Sequence, residues 1–309
     1  MITSIFKKST PINYILITTM LIGFFVLYQF QDMKWLNSTH LILQKTVLLV
    51  VLMISLFFVN FIVKKNTITK DSDFTVIFFL LLLLLFPSFF SNFKLIIANF
   101  FILLALRRLF SIQTLKVVKE KIFDASLYIF IASLFHFWSI LFLIVVFASI
   151  VFHVSRDYRN WLLPIVAFLT VAVLFVFYAL VFDHSAIQVF LNSIIISLDF
   201  SYFKNNFQNL ALSIYAMISV FFFFSLLMMI SQKPLNLQAA FKKTLFSFVI
   251  GLVIFIISDS KCNEVLAFSF FPLAIMGTTN IEFYQNNLRQ NIILISVLVL
   301  CLFAFFTQL

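Results

Sequence analysis

Glycine is almost missing from this chain: three residues in 309, at Gly23, Gly251 and Gly277. So few glycines exclude a P-loop and a dinucleotide-binding fingerprint, which need them where backbone approaches phosphate, and exclude a glycine-zipper interface between helices. Cysteine is nearly as rare. Cys262 lies at the edge of one apolar stretch and Cys301 deep inside another, a spacing that suits neither a metal site nor a disulfide. Charge is also scarce, at 10% of residues. A water-soluble domain with so little charge cannot cover its own surface.

What fills the chain instead is apolar. Hydrophobic residues make up 63%, 47 of 309 residues are Phe, and mean hydropathy is +1.15. Lipid solvates Phe and Leu directly, so a membrane protein needs no polar cover. Abundant Phe beside Ile, Lys and Asn is the bias of an AT-rich genome at lipid-facing positions, not an aromatic binding surface.

The apolar stretches come at the length a helix needs to cross hydrocarbon, roughly 17 to 25 residues. They run from Ile12 to Phe30, Leu41 to Val63 and Phe74 to Phe90. Phe93 to Leu106 is shorter and carries Asn99 in its middle; it crosses only if Arg107 and Arg108 snorkel, and otherwise dips in and returns. Ile122 to Val154 as one helix would run about 50 Å, too long for a bilayer. A break is therefore expected at His136-Phe137-Trp138, where a tryptophan suits an interface. Trp161 to Phe182, Leu210 to Ile230, Leu245 to Ile257, Val265 to Ile281 and Ile292 to Phe306 complete the set, with a kink expected at Pro272. The first stretch, behind two lysines and with no small-residue cleavage site after it, reads as a retained span.

Two further segments alternate at helical period. In Leu109 to Ile122, apolar Leu109, Ile112, Leu115, Val118 and Ile122 oppose Gln113, Lys116, Lys119 and Lys121. In Ser185 to Asn206, Ile187, Phe190, Leu191, Ile194, Ile195 and Leu198 oppose Gln188, Asn192 and Ser193. Both predict amphipathic helices lying in the interface. The expected architecture is an all-α, polytopic transmembrane bundle of about eleven spans (ten to twelve), with two interfacial helices and one domain over residues 1–309.

The net charge of +10 would suit nucleic acid, but its placement argues otherwise. Only Lys34, Lys45, Lys94, Lys204 and Lys261 fall on one side of this arrangement; the other sixteen of the 21 Lys and Arg fall on the opposite side. The positive-inside bias makes the richer side cytoplasmic, with the N-terminus there, as in a multi-pass protein of the cell inner membrane. Expected partners are membrane lipids and other envelope membrane proteins, not nucleic acid. No cofactor and no metal is expected.

Charged groups sit at span boundaries, which disfavours a proton relay through the bilayer centre. Asp124 reads as a cap or a partner of Lys121. On the outer side, four polar spots are candidates to converge: Asp32; His136 with Trp138; Asp183 with His184; and Asp259, Lys261 and Glu264. Catalytic candidates are His136, Asp183, His184 and Glu264, since a carboxylate beside a histidine suits general-base work on a lipid-linked substrate. Asp32, Trp138, Asp259 and Lys261 are substrate-binding candidates, Lys261 as a cation for phosphate. On the inner side, Arg107, Arg108, Lys116, Lys119, Arg156 and Arg159 could hold lipid headgroups or a partner. The plain alternative for each is a helix cap, a snorkelling side chain or an orienting charge.

Leu134-Phe135-His136-Phe137-Trp138, Arg156-Asp157-Tyr158-Arg159-Asn160-Trp161 and the run from Asn263-Glu264 to Phe271-Pro272-Leu273-Ala274 carry a resemblance over most of the length. By them the chain resembles an uncharacterised family of polytopic inner-membrane proteins of gliding-type Gram-negative bacteria. More distantly it is similar to multi-spanning polysaccharide polymerases and lipid-linked sugar transferases. Those enzymes bear a carboxylate-rich first external loop or an arginine-rich large one; here the first loop offers Asp32 and the largest no arginine. The first functional expectation is therefore a non-catalytic subunit or organiser of a cell-envelope membrane assembly. The second is a membrane enzyme acting at the outer face on a polyprenyl- or lipid-linked saccharide, and the third a secondary transporter.

Overall fold

Without water to satisfy them, backbone amides in lipid must close their hydrogen bonds within each segment, which leaves helices as the natural element of so apolar a chain. The computed structural model describes residues 2–33, 35, 38–196, 206–258, 261–284 and 286–309. Among the described residues the fold is helical throughout, with an isolated antiparallel bridge between Ile196 and Ser258 and no strand. In order the helices are α1 (Ile2–Phe6), α2 (Pro11–Gln29), α3 (Thr39–Lys65), α4 (Phe74–Leu85), α5 (Phe93–Ser111), α6 (Val118–Phe135), α7 (Leu143–His153), α8 (Arg159–Val181), α9 (Ala186–Asn192), α10 (Asn206–Ile230), α11 (Leu235–Ile257), α12 (Phe270–Phe283) and α13 (Asn287–Gln308).

Eight helical stretches among the described residues are long and apolar enough to cross a membrane: Pro11–Gln29, Thr39–Lys65, Phe93–Thr114, Arg159–Val181, Asn206–Ile230, Leu237–Ile257, Asn263–Phe283 and Asn287–Gln308. Phe74–Leu85 and Phe137–His153 are shorter apolar helices. This is the build of a multi-pass membrane protein.

The centre of the array is α4, in which every residue from Phe74 to Leu85 is buried. A helix apolar on all sides needs cover on all sides. α4 receives it from α3, α12 and α13, and α12 is itself buried from Phe270 to Ile281. Thr278 Oγ1 donates to Thr75 Oγ1 at 3.0 Å between the two central helices, and Phe78 meets Phe222 of α10 edge-on. α2 and α8 lie at the periphery and keep most of their apolar surface exposed.

Polar contacts gather in two separate groups, one at each end of the array. At the first end Asp73 N donates to Phe6 O, Ser72 Oγ to Glu282, and Gln113 Nε2 to Asn66 O. At the second end Gln29 Nε2 donates to Phe90 O, Gln308 Nε2 to Leu85 O, and Asn263 Nδ2 to Gln208 O. Apart from Lys242 and Lys243, the basic residues of the richer side belong to loops and helix ends of the first group.

Several local expectations need correction. Of the two alternatives left open for Phe93–Leu106, the structure has the continuous one: Phe93–Ser111 is a single, largely buried helix covered by apolar neighbours on α3 and α6. The amphipathic helix expected over Leu109–Ile122 does not form: Leu115 and Val117 take left-handed φ of 54° and 51°, which separates the end of α5 from the start of α6. Of the segment Ser185–Asn206, α9 is helical and exposed, while residues 197–205 lie outside the described residues. Pro272 is the third residue of α12, just past the point where the 3-10 segment Asn263–Ser269 gives way to α-helix. Pro164 lies deeper inside a helix, in α8. Asp124 pairs with Arg108 at 2.8 Å, not with Lys121. Lys243, one of the sixteen basic residues of the richer side, is fully buried on α11, its Nζ 2.8 Å from the carbonyl of Leu109.

Candidate functional site

At the second end, α6 stops at Phe135 although neither Gly nor Pro compels it. His136 turns extended (φ −142°, ψ 103°), its N–H closes on Ala132 O, and its own carbonyl accepts from Ser139 N to start a 3-10 turn over Phe137–Phe142. The break expected from length alone is therefore present. It opens a cavity of about 280 Å³ lined by Asn92, Lys94 and Leu95 at the start of α5, by Phe135, His136, Phe137 and Trp138, and by Ser193, Ser258 and Cys262.

Each wall has a local cause. Asn92 precedes an apolar helix and caps it, its Oδ1 accepting from Leu95 N at 3.3 Å. The other end of the same side chain donates from Nδ2 to Glu264 Oε2 at 2.6 Å, and Glu264 sits in the first turn of the 3-10 segment Asn263–Ser269 that leads into α12. The His136 ring lies 5.4 Å from Phe268 of that segment. Phe137 meets Phe190 of α9 edge-on, Phe190 packs on Phe175 of α8, and so the short α9 is seated over the break.

Three polar atoms at the break are buried with no hydrogen-bond partner: His136 Nε2, Trp138 Nε1 and Ser139 Oγ. A buried polar group left unsatisfied costs about 1 to 3 kcal/mol, so three on one short segment call for water or a ligand. Burial holds the His136 imidazole down to about 4, which keeps it neutral at physiological pH. Burial, reinforced by the negative charge of Glu264, pushes the Cys262 thiol up, so it stays protonated and is a poor nucleophile.

Of the outer candidates, the structure brings His136 and Trp138 together on this cavity, with Glu264 joined to it through Asn92. Lys261 is buried in the adjoining turn after α11. Asp32 lies elsewhere, in the turn after α2, close enough to act electrostatically on Lys45. Asp183 is spent locally: its Oδ1 accepts from Ser185 N at 3.0 Å and Ser185 Oγ at 2.6 Å, bonds that hold its carboxyl below the usual range. His184 is exposed beside it, and Asp259 lies outside the described residues.

At the first end the basic candidates do not form one cluster. Arg107 stacks over Phe61 at 4.8 Å and Phe58 at 5.5 Å, Arg108 pairs with Asp124, and Arg159 lies over Tyr158. Lys116 is exposed, Lys119 pairs with Asp157 at 3.5 Å, and Arg156 lines a second cavity together with Lys119.

Sequence reading missed Asn92, Lys94 and Ser193 as wall residues. For Asn92 a signal existed, an Asn immediately before an apolar helical run. For the other two there was none. Compared with protein-family models, curated proteins and solved structures, the chain matches none.

Proposed function

We propose that this protein is an eleven-crossing inner-membrane protein, N-terminus in the cytoplasm, whose cavity at the second, outer end takes the polar head of a polyprenyl- or lipid-linked saccharide. The observation that carries the reading is a pair of orphaned polar atoms, His136 Nε2 and Trp138 Nε1, on two residues that line a cavity at a break between helices. Indole N–H and hydroxyl groups suit sugar and phosphate oxygens, and Lys94 on the wall supplies a cation for phosphate. Neutral His136 keeps a ring nitrogen free of charge to hydrogen-bond a sugar hydroxyl, while its lowered pKa makes it a weak base, so the site suits binding better than general-base chemistry. The sixteen-to-five split of basic residues supports the orientation.

Cys262 supplies the test, because it lines the cavity while Cys301 is fully buried. In intact cells with a permeable outer membrane, held at a pH alkaline enough to ionise part of this raised thiol, a membrane-impermeant maleimide is expected to label Cys262 slowly, and added polyprenyl phosphate to slow that labelling further. His136→Ala should remove the protection. Labelling from the cytoplasmic side alone, or at a rate indifferent to polyprenyl phosphate, refutes the reading.

A second reading, a non-catalytic subunit of an envelope assembly, is favoured by the broad apolar faces that α2 and α8 leave uncovered. Crosslinking from those faces in native membranes tests it; a chain that crosslinks to no other protein argues against it.

A further inference from the structure

A cavity at the first end has a volume of about 810 Å³ and lies between the start of α6, the end of α7 and the start of α8. Four charged residues line it, Lys119 and Arg156 against Glu120 and Asp157, so its formal charge balances. Arg156 has no ion-pair partner among the described residues, while Lys119 reaches Asp157 at 3.5 Å.

Two independent features point to a ligand. α6 begins at left-handed Val117 with no side-chain cap, so the N–H groups of its first turn, on residues that line the cavity, are open to an anion. Asn160, only 3% exposed, donates its Nδ2 to Val154 O at 3.2 Å but leaves Oδ1 buried without a donor, and it too lines the cavity. An anion-binding corner and an orphaned acceptor in one charge-balanced space match a zwitterion better than a simple anion. The rim decides between a soluble and a lipid ligand. Leu115, Val117 and Val151 are exposed apolar residues there, as an acyl-bearing molecule requires.

We infer that this cavity holds the headgroup of a zwitterionic phospholipid with a protonated amine, the phosphate on the α6 N-terminus with Lys119 and Arg156, and the ammonium on Asn160 Oδ1 with Asp157. A quaternary choline has no N–H to give Asn160, which makes the choice of amine measurable.

The experiment uses the full-length protein, purified in detergent and stripped of lipid, and follows retention of added lipids by native mass spectrometry. Phosphatidylethanolamine is expected to bind at least about tenfold tighter than phosphatidylcholine, the difference a buried hydrogen bond to a charged donor provides. Arg156→Ala should weaken both lipids alike. Asn160→Ala should bring their ratio to about one; if that variant fails to fold, exposed Arg156→Ala and Lys119→Ala still test the phosphate half. Equal binding of the two lipids overturns the inference, as does tighter binding of phosphatidylglycerol or indifference to Arg156→Ala. Free phosphoethanolamine competing as well as the lipid would make the ligand a soluble phosphate ester and also overturn it.

Discussion

Asn92 and Glu264, 172 positions apart in sequence, meet through a 2.6 Å hydrogen bond that ties the first turn of α5 to the segment leading into α12. One amide side chain does two tasks: its oxygen caps a helix, and its nitrogen donates to a half-buried carboxylate beside the cavity at the second end.

Asn92→Ala removes both contacts. The lost cap costs about 1 kcal/mol, and the unpaired carboxylate about 1 to 3 kcal/mol more. Asn92→Asp keeps a capping oxygen but sets it against Glu264, and Glu264→Gln should rescue that variant. Thermal unfolding in detergent of the two single variants and the double reads the coupling directly; strict additivity would mean the bond carries no energy.

His136 makes stability depend on pH in one direction. Its folded value of about 4 lies below the ordinary 6.5, so below pH 6.5 the unfolded chain takes up a proton that the folded chain refuses. Stability should be flat above about pH 6.5 and fall by up to roughly 3 kcal/mol as pH drops toward 4. His136→Phe should flatten that limb. An unchanged acid limb in the variant would assign it to other groups.

Two glycines should answer differently to alanine. A Cβ on Gly251 would lie 2.9 Å from the backbone N and the Cβ of Ser269, so α11 would have to move off the segment Asn263–Ser269. Gly251→Ala is expected to cost about 1 to 3 kcal/mol. A Cβ on Gly23 would meet nothing within 4 Å, and Gly23→Ala should leave stability unchanged or raise it by up to about 1 kcal/mol. Melting temperatures of the two purified variants, compared side by side, decide the matter.

Lys243 caps the far end of α5, its Nζ 2.8 Å from Leu109 O and 5.3 Å over the ring of Phe110. The carbonyl also accepts from Ile112 N at the C-cap of α5, so Lys243 occupies its second lone pair. Lys243→Met preserves volume and removes a buried cation, and should stay within about 1 kcal/mol of the parent. Lys243→Glu places a negative charge against a helix C-terminus and should cost about 3 to 5 kcal/mol. Comparable folded yields of the Met and Glu variants in membranes would contradict this.

Much of the site's position was legible because it follows from length. Thirty-three apolar residues cannot cross a bilayer as one helix, so a break near His136-Phe137-Trp138 was required, and it is there. The partners of that break were not legible. Asp183 and His184 carry the same chemical signature as His136 and Glu264, yet Asp183 is consumed by Ser185 next to it, while Glu264 is recruited by Asn92 from far along the chain. A local bond leaves a trace in adjacent residues; a bond across 172 positions leaves none. The failed amphipathic helix at Leu109–Ile122 has a similar cause, since its periodicity is real but belongs to two helices that meet at left-handed Leu115 and Val117.

The sequence by itself determined the solvent, the helical class, the rough length of each crossing and the segregation of positive charge, because hydropathy and charge act residue by residue along the chain. Only the tertiary structure decided that α4 and α12 lie at the centre and α8 at the edge, and which polar side chains meet. In lipid a Leu facing another helix and a Leu facing an acyl chain are solvated almost alike, so nothing in composition separates core from periphery. That choice rests on close packing and a few interhelical hydrogen bonds, and both exist only once the helices are assembled.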